Sequence, residues 1–430
     1  MLYDLWRQVA SRRRQEWALR DIASGQCWTF GELLSATDGP PGATRELICA
    51  QGQSADFIFQ VLRAWRTGGV LCPLEPGQSA PVVPLPPESC VHLKTTSATT
   101  GAPRLIAFTA DQLLADVENI RATMGLRPDW PNLGVVSLAH SYGFSNLVLP
   151  LLLHGVPLIL VPSPLPEMIR RAAAPETALT WAGVPALWRA AHEAGAIPPN
   201  VRLAISAGAP LSLGLEQIVF DSAGLKIHNF YGSSECGGIA YDAARTPRAD
   251  EALVGLPMRN VQLALAESGC LEVRGRNVGE TYWPEASDDL RNGCFRTSDL
   301  VELRHGQVCL RGRVSDLINV AGRKVSPVAI ERILSESAVV RDCLVFGMPS
   351  PEVERGDVIV ACVVATSGAA AETLKQFALE RLPSWQVPRA WWFVESLTAD
   401  QRGKISRAEW RRRFQEEGRW LQLSRMGMTT

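Results

Sequence analysis

The feature that most constrains the fold is a unit in which a helix-periodic run stops at glycine and a short apolar run follows. Residues 56–66 (DFIFQVLRAWR) carry helical spacing, Gly68-Gly69 ends them, and residues 70–73 read as a buried strand. The unit recurs. Residues 111–124 form a second amphipathic run stopped by Gly125, and residues 135–139, 158–161, 201–205 and 226–228 are apolar runs of strand length. Alternation of this kind predicts an α/β architecture, in which ligands sit at the turns after the strands.

From about Val254 the pattern changes to short strands with frequent turns, at residues 262–265, 271–274, 300–303 and 308–311. A helix is expected near residues 327–336, and a second one after the Gly/Ala-rich turn at 367–371. The prediction is a large N-terminal domain of stacked α/β sheets, residues 1–311, with a β-rich subdomain at about 254–311. A small mobile α+β C-terminal domain, residues 312–430, follows. At 430 residues the chain exceeds one compact core.

Composition excludes several classes of function. Net charge is −1, so no bulk field favours nucleic acid or an acidic membrane. Ten cysteines lie singly without a C-x-x-C pair, which argues for a reducing, cytoplasmic setting and against a disulfide framework or zinc knuckle. The N-terminal stretch mixes acids and bases and does not read as a signal peptide. The most apolar stretch, residues 147–162, is broken by His154, Gly155 and prolines 150, 157 and 162, so no membrane span is expected. A buried helix followed by a strand fits it better.

Five segments carry chemistry. The first is Thr95-Thr96-Ser97-Ala98-Thr99-Thr100-Gly101-Ala102-Pro103-Arg104, a hydroxyl-rich, Gly-punctuated loop ending in a cation, suited to cradling phosphate. It is not a P-loop. The second is His228-Asn229-Phe230-Tyr231-Gly232-Ser233-Ser234-Glu235, which offers a flat ring, hydroxyls and a carboxylate able to hold Mg²⁺. Its plain alternative is a strand-to-helix turn with Glu235 in the first helical turn. The third, Phe295-Arg296-Thr297-Ser298-Asp299, sets a carboxylate before an expected strand, where it could accept both ribose hydroxyls. The fourth runs from Gly312 to Lys324 and the fifth is Gly403-Lys404-Ile405-Ser406-Arg407. Singly, each has an ordinary reading as a loop, a turn or a solvated charge.

In sequence and in order, the five segments resemble the core motifs of the adenylate-forming superfamily of acyl-CoA synthetases, aryl-CoA ligases, adenylation domains and luciferases. The resemblance runs from about Trp17 to Arg407 and includes Ala18-Leu-Arg-Asp, Trp28-Thr-Phe-Gly-Glu-Leu and Val70-Leu-Cys-Pro-Leu-Glu-Pro. It implies ATP-dependent activation of a carboxylic acid, aryl or acyl, to an acyl-adenylate. Transfer to the thiol of coenzyme A or of a carrier-protein phosphopantetheine would follow, and the enzyme would be a monomer or homodimer.

Residue by residue, the resemblance places Thr96, Ser97, Thr99, Thr100, Gly101 and Arg104 on the ATP phosphates. Gly208, Ala209 and Pro210 would line the adenine, Asn229 would bond its edge, and Tyr231 would stack on it. Ser234 would meet the α-phosphate, Glu235 would bind Mg²⁺, and Asp299 with Arg313 would hold the ribose. Lys404 would bridge acid and α-phosphate, His140 would gate the acid pocket, and Gly322 would admit the pantetheine arm. Pocket walls would be Ser141, Tyr142, Gly143, Phe144, Trp181, Gly183, Val184, Ser206 and Gly232. Ser141 stands where amino-acid-activating relatives carry Asp, so an α-amino acid is not expected.

The chain departs from the family pattern at Ala98, at Arg104 in place of lysine, and at the hinge residue Ser315. The phosphate loop also begins early, which implies a trimmed N-terminal domain. Three rival readings stay open from sequence: a luciferase-like oxygenase, an adenylating enzyme with a non-thiol acceptor, and a non-catalytic nucleotide-binding scaffold.

Overall fold

The structure is a computed structural model that describes residues 1–40, 42, 44–96, 104–350, 356–366, 370–398 and 405–417. The expected helix-stop-strand units are present. The helix Ala55–Thr67 ends at Gly68 in the left-handed region and leads straight into the strand Val70–Leu74, buried throughout. The helix Ala110–Met124 begins with a capping box, in which Thr109 and Gln112 bond reciprocally, and ends at left-handed Gly125.

Two sheets form the N-terminal part. In the first, strands Leu47–Gln51, Val70–Leu74 and Cys90–Thr95 run parallel. Leu105–Thr109 and Thr281–Trp283 then add antiparallel neighbours. The second sheet has a parallel centre made of Leu158–Leu160, Asn132–Gly134, Leu179–Gly183, Val201–Ser206 and Ile227–Ser233. It continues through Gly237–Tyr241 into antiparallel strands from Leu253 onward. Helices and strands of both sheets share one large apolar core reaching from Leu2 to Val308, and a second core around Trp181 and Trp188 lies on the other face of the parallel centre.

The C-terminal part has its own core. Strands Val340–Pro349, Asp357–Ala365 and Ala390–Phe393 form a three-stranded sheet, and helix Pro327–Ser335 packs on it. It leans on the N-terminal part where Ser326 Oγ donates to the Arg311 carbonyl at 2.7 Å and Arg332 Nη2 to the Leu310 carbonyl at 2.8 Å. Among the described residues, no helix is long and apolar enough to cross a membrane.

Three expectations need correction. Residues 135–139 are irregular, and the strand is Asn132–Gly134. Leu138 N–H turns instead to the Gly52 carbonyl at 2.9 Å, which draws this segment onto the end of the first sheet. The 226–228 strand runs on to Ser233 and reverses into Gly237–Tyr241, so Glu235 sits in a hairpin turn and the plain alternative of a strand-to-helix turn does not hold. Asp299 lies inside the 11-residue strand Cys294–Arg304, not before a strand. The apolar spacing of that strand hid its length, because polar Thr297 and Asp299 are themselves buried.

Candidate active site

The residues expected at the nucleotide converge on one end of the second sheet. Ser206 and Asn229 are in register on neighbouring parallel strands, so they share a face. Tyr231, two residues on, continues that face. Its hydroxyl donates to Asp299 Oδ2 at 2.6 Å, and Arg313 Nε donates to Asp299 Oδ1 at 2.7 Å. Asp299 and Arg313 are direct partners across adjacent antiparallel strands. Burial first, and then the Asp299 carboxylate, push the Tyr231 phenol well above its ordinary pKa, while the same carboxylate raises that of Arg313. A carboxylate has roughly four lone-pair sites, so Asp299 keeps acceptor capacity for a vicinal diol. Gly208, with φ of 85°, follows the strand end together with Ala209 and Pro210.

The side expected to meet the phosphates is built from two hairpins. Thr96 N–H donates to the Arg104 carbonyl at 2.8 Å and Arg104 N–H to Thr96 Oγ1 at 2.9 Å, closing the neck of the hydroxyl-rich loop. Ser97, Ala98, Thr99, Thr100 and Gly101 lie outside the described residues, as does Lys404. The Arg104 guanidinium stacks 3.4 Å over the Tyr282 ring, and Tyr282 Oη donates to Glu235 Oε1 at 3.0 Å. Tyr282 therefore ties the end of the phosphate loop to the Glu235 turn. Sequence reasoning missed it, because Tyr282 acts through Arg104 and Glu235, both distant in the chain. The turn itself is held by Gly279 N–H on the Glu235 carbonyl at 2.8 Å and Asn277 Nδ2 on the Cys236 carbonyl at 2.6 Å. Ser234 belongs to the same turn.

No group of three His, Cys, Asp or Glu side chains that could cage a metal occurs among the described residues. A lone carboxylate beside a phosphate loop still fits Mg²⁺. That ion commonly takes one or two protein carboxylates and completes its octahedron with nucleotide phosphates and water.

The third arm carries His140. Its Nδ1 accepts the Tyr142 N–H at 3.3 Å and caps a short helix, Ser141–Gly143, which passes into the segment Phe144–Val148. A side chain at Gly52 would overlap the Ala139 backbone, so bare glycine lets the His140 loop lie on the first sheet. Tyr142 places its hydroxyl 3.5 Å from the Ile205 carbonyl and its ring 5.9 Å from that of Phe230.

Strand alternation divides the expected pocket walls. Ala182, Ile205, Ala207, Tyr142 and Phe230 belong to one core cluster, whereas Trp181 packs 4.3 Å from Trp188 in the cluster on the opposite face. A side chain at Gly183 would meet Trp188, and Ser206 pairs with Gly183, so both share the face of Trp181. Val184 also packs against the Trp181 cluster. Phe144 is fully buried between Phe57 and His92, with ring centroids 6.4 and 4.4 Å away. Gly232 pairs with Gly238 across the hairpin. The structure thus gathers Tyr142 with Ala182, Ile205 and Phe230 beside His140, and turns Trp181, Gly183 and Ser206 away from them. Neighbouring positions of a strand face opposite sides of its sheet, so the expected walls divide between the two faces.

In the C-terminal part, Ala321 and Gly322, with φ of 50° and 80°, make the two-residue turn between strands Ile318–Val320 and Arg323–Val325. A side chain at Gly322 would project into open space. Ser315 lies in the single helical turn Val314–Asp316 directly after Arg313, and its hydroxyl bonds Asp316 Oδ1 at 3.1 Å. Asp316 Oδ2 in turn pairs with Arg407 Nη1 at 3.1 Å, and Arg407 Nη2 pairs with Glu331 Oε2 at 2.6 Å. The same arginine, three residues beyond Lys404, thus ties its segment to the turn that holds Ser315.

Residues 54–283 match the profile described as AMP-binding enzyme, more than half of the chain, and residues 329–404 match the AMP-binding enzyme C-terminal domain. The chain belongs to the AMP-binding enzyme family. This AMP-binding enzyme is 29% identical over 356 residues to a feruloyl-CoA synthase of Amycolatopsis sp, covering 78% of this chain and 72% of that protein. Its fold matches ATP-bound MatB of Rhodopseudomonas palustris with a TM-score of 0.82 at 20% identity, over 97% of this chain and 100% of the other. It also matches the o-succinylbenzoate CoA synthetase MenE of Bacillus subtilis, solved with its acyl-adenylate, with a TM-score of 0.80 at 18% identity over 94% and 97% of the two chains. The resemblance drawn from the five motifs, and the two-part fold it implied, therefore hold.

Proposed function

We propose that this AMP-binding enzyme is an AMP-forming acid–thiol ligase that activates an aryl or acyl carboxylic acid with ATP and passes it to coenzyme A. The observation that carries the reading is the Tyr231–Asp299–Arg313 cluster, which joins three of the five motif segments at bonding distance. A stacking ring, a diol-accepting carboxylate and a fixed cation within one cluster are what a nucleoside requires.

In the first half-reaction, the substrate carboxylate oxygen forms a bond to the α-phosphorus of ATP and the bond to pyrophosphate breaks. Asn229, Tyr231 and Asp299 hold the nucleoside, while Arg104 and the hydroxyl loop hold the leaving phosphates. Glu235 would hold Mg²⁺, which when bound offsets negative charge on the phosphates. Lys404 supplies a cation to the oxygens of the α-phosphate as charge develops. In the second half-reaction the thiol sulfur bonds the acyl carbon, its proton is lost, and AMP departs. Rotation of the C-terminal part about Ser315 would exchange Lys404 for the Gly322 turn between the two steps.

The acid is selected by the apolar face of Tyr142, Ala182, Ile205, Ala207 and Phe230, with His140 at its mouth. Ser141 offers no charge to an α-ammonium group, so the acid is aryl or acyl. A carrier-protein pantetheine is the alternative thiol. The test is AMP release with a panel of aryl, fatty and amino acids, each with and without coenzyme A. Thiol-dependent release with an aryl or acyl acid is expected; release that ignores the thiol contradicts the second half of the proposal.

A further inference from the structure

We infer that a buried Lys94–Asp116 pair is a positioning device for the Mg²⁺-facing carboxylate, setting the Glu235 hairpin against the phosphate-loop strand and the acid-site helix. The inference rests on the reading of Glu235 as the metal-facing group.

Lys94 and Asp116 are 3% and 1% exposed, so both charges are removed from water. Lys94 stands on the strand Cys90–Thr95, two residues before the neck of the phosphate loop at Thr96. Its ammonium lies 3.7 Å from Asp116 Oδ2, donates to Ser145 Oγ at 3.3 Å, and sits 4.4 Å above the Phe108 ring. Ser145 Oγ donates to the same Asp116 Oδ2 at 2.6 Å, and Ser145 belongs to the segment that continues the Ser141–Gly143 helix. Asp116 Oδ1 accepts the Gly238 N–H at 3.2 Å, three residues past Glu235. Gly237 has φ of 66°, and any side chain there would overlap the Asp116 carboxylate. One carboxylate thus engages the loop strand, the acid-site helix and the returning arm of the Glu235 hairpin.

A buried pair is a poor means of gaining stability, because desolvation of both ions offsets most of their attraction. Burial pushes the Lys94 ammonium below its ordinary pKa, and Asp116 opposes that shift. What the arrangement does supply is direction. Asp116 accepts hydrogen bonds from Ser145 and Gly238 and faces the Lys94 ammonium, which itself donates to Ser145, so none of the three elements can move without breaking a charged, buried contact. With Tyr282 on its outer side and Asp116 behind its return strand, the Glu235 turn is held from two sides.

The test is calorimetric titration of ATP into the full chain, with Mg²⁺ and with chelator, for the wild type and Lys94→Met. Affinity is read, not turnover, so the outcome stands apart from the identity of the reaction. The expected result is that Lys94→Met loses at least about fivefold of the affinity gained from Mg²⁺ while binding ATP within about twofold of wild type in chelator, since a misplaced carboxylate matters only when the metal is present. Ser145→Ala, which removes one arm and keeps both charges, should lose part of the same gain, and it carries the test if Lys94→Met does not fold. An unchanged Mg²⁺ gain, or an equal loss with and without Mg²⁺, would overturn the inference.

Discussion

Tyr231 Oη lies 2.6 Å from Asp299 Oδ2, joining a residue of the parallel centre to one of the β-rich region 68 positions later. That bond, with the one from Arg313, fixes the carboxylate that we propose accepts the ribose hydroxyls. Tyr231→Phe keeps the ring and removes the bond, so KM for ATP should rise by about tenfold or less, in line with roughly 1.5 kcal/mol for a hydrogen bond to a charged group. Asp299→Ala should raise it further, because Arg313 then loses its partner. Steady-state kinetics at saturating acid would decide; equal KM values in Tyr231→Phe and wild type would contradict the assignment.

Tyr282 links Arg104 to Glu235 by a stacked cation on one side and a hydrogen bond on the other. Two substitutions separate the links. Tyr282→Phe loses only the bond to Glu235, and kcat for adenylation should fall about tenfold; Tyr282→Leu loses both, and the fall should approach about a hundredfold. Equal effects of the two variants would show that the hydroxyl alone matters. The planar guanidinium of Arg104, standing where lysine is usual, suits this stack in a way an ammonium would not.

Face parity in the Leu179–Gly183 strand gives a third prediction. Ala182→Leu should narrow the acid range towards smaller acids, whereas Trp181→Phe should leave acid preference unchanged and cost about 1–2 kcal/mol of stability through its packing on Trp188. An acid panel and urea unfolding on both variants test it. A shift in preference for Trp181→Phe would return that residue to the pocket.

Much of this was legible in the sequence because it depends on local chemistry. The helix Ala55–Thr67 with its glycine stop, the strand at 262–265, and the order of Asn229, Tyr231, Glu235, Asp299 and Arg313 are carried by residue types and spacing. What failed depended on distant partners. Strand length around Asp299 was hidden because its buried carboxylate is met by Tyr231 and Arg313, which sequence spacing does not bring beside it. The hairpin at Glu235 reads like a helix start until its return strand is seen. Lys94, Asp116 and Tyr282 gave no signal, since each acts through a neighbour far away in the chain. The division of Trp181 and Ser206 from Ala182 and Ile205 between two faces follows from strand alternation, which only the sheet register makes visible.

His92 supplies a pH prediction. It is fully buried, packs 4.4 Å from the Phe144 ring, and has no hydrogen-bond partner at either ring nitrogen among the described residues. Burial, then Lys94, hold its pKa well below the ordinary value. The unfolded imidazole binds a proton below about pH 6.5 and the folded one only at much lower pH, so stability is lost as pH falls through that window. Between pH 7.5 and 5, wild type should therefore lose more stability than His92→Phe in urea unfolding. Parallel pH profiles would show that His92 titrates alike in both states.

The central claim is the adenylation step, and acid-dependent exchange of labelled pyrophosphate into ATP measures it without needing the thiol acceptor. Wild type should exchange with at least one aryl or acyl acid and not with α-amino acids, and Lys404→Ala should reduce that exchange by at least about a hundredfold, the scale expected when a cation at the developing charge is removed. Absence of exchange with every acid, or exchange undiminished in Lys404→Ala, would contradict the account.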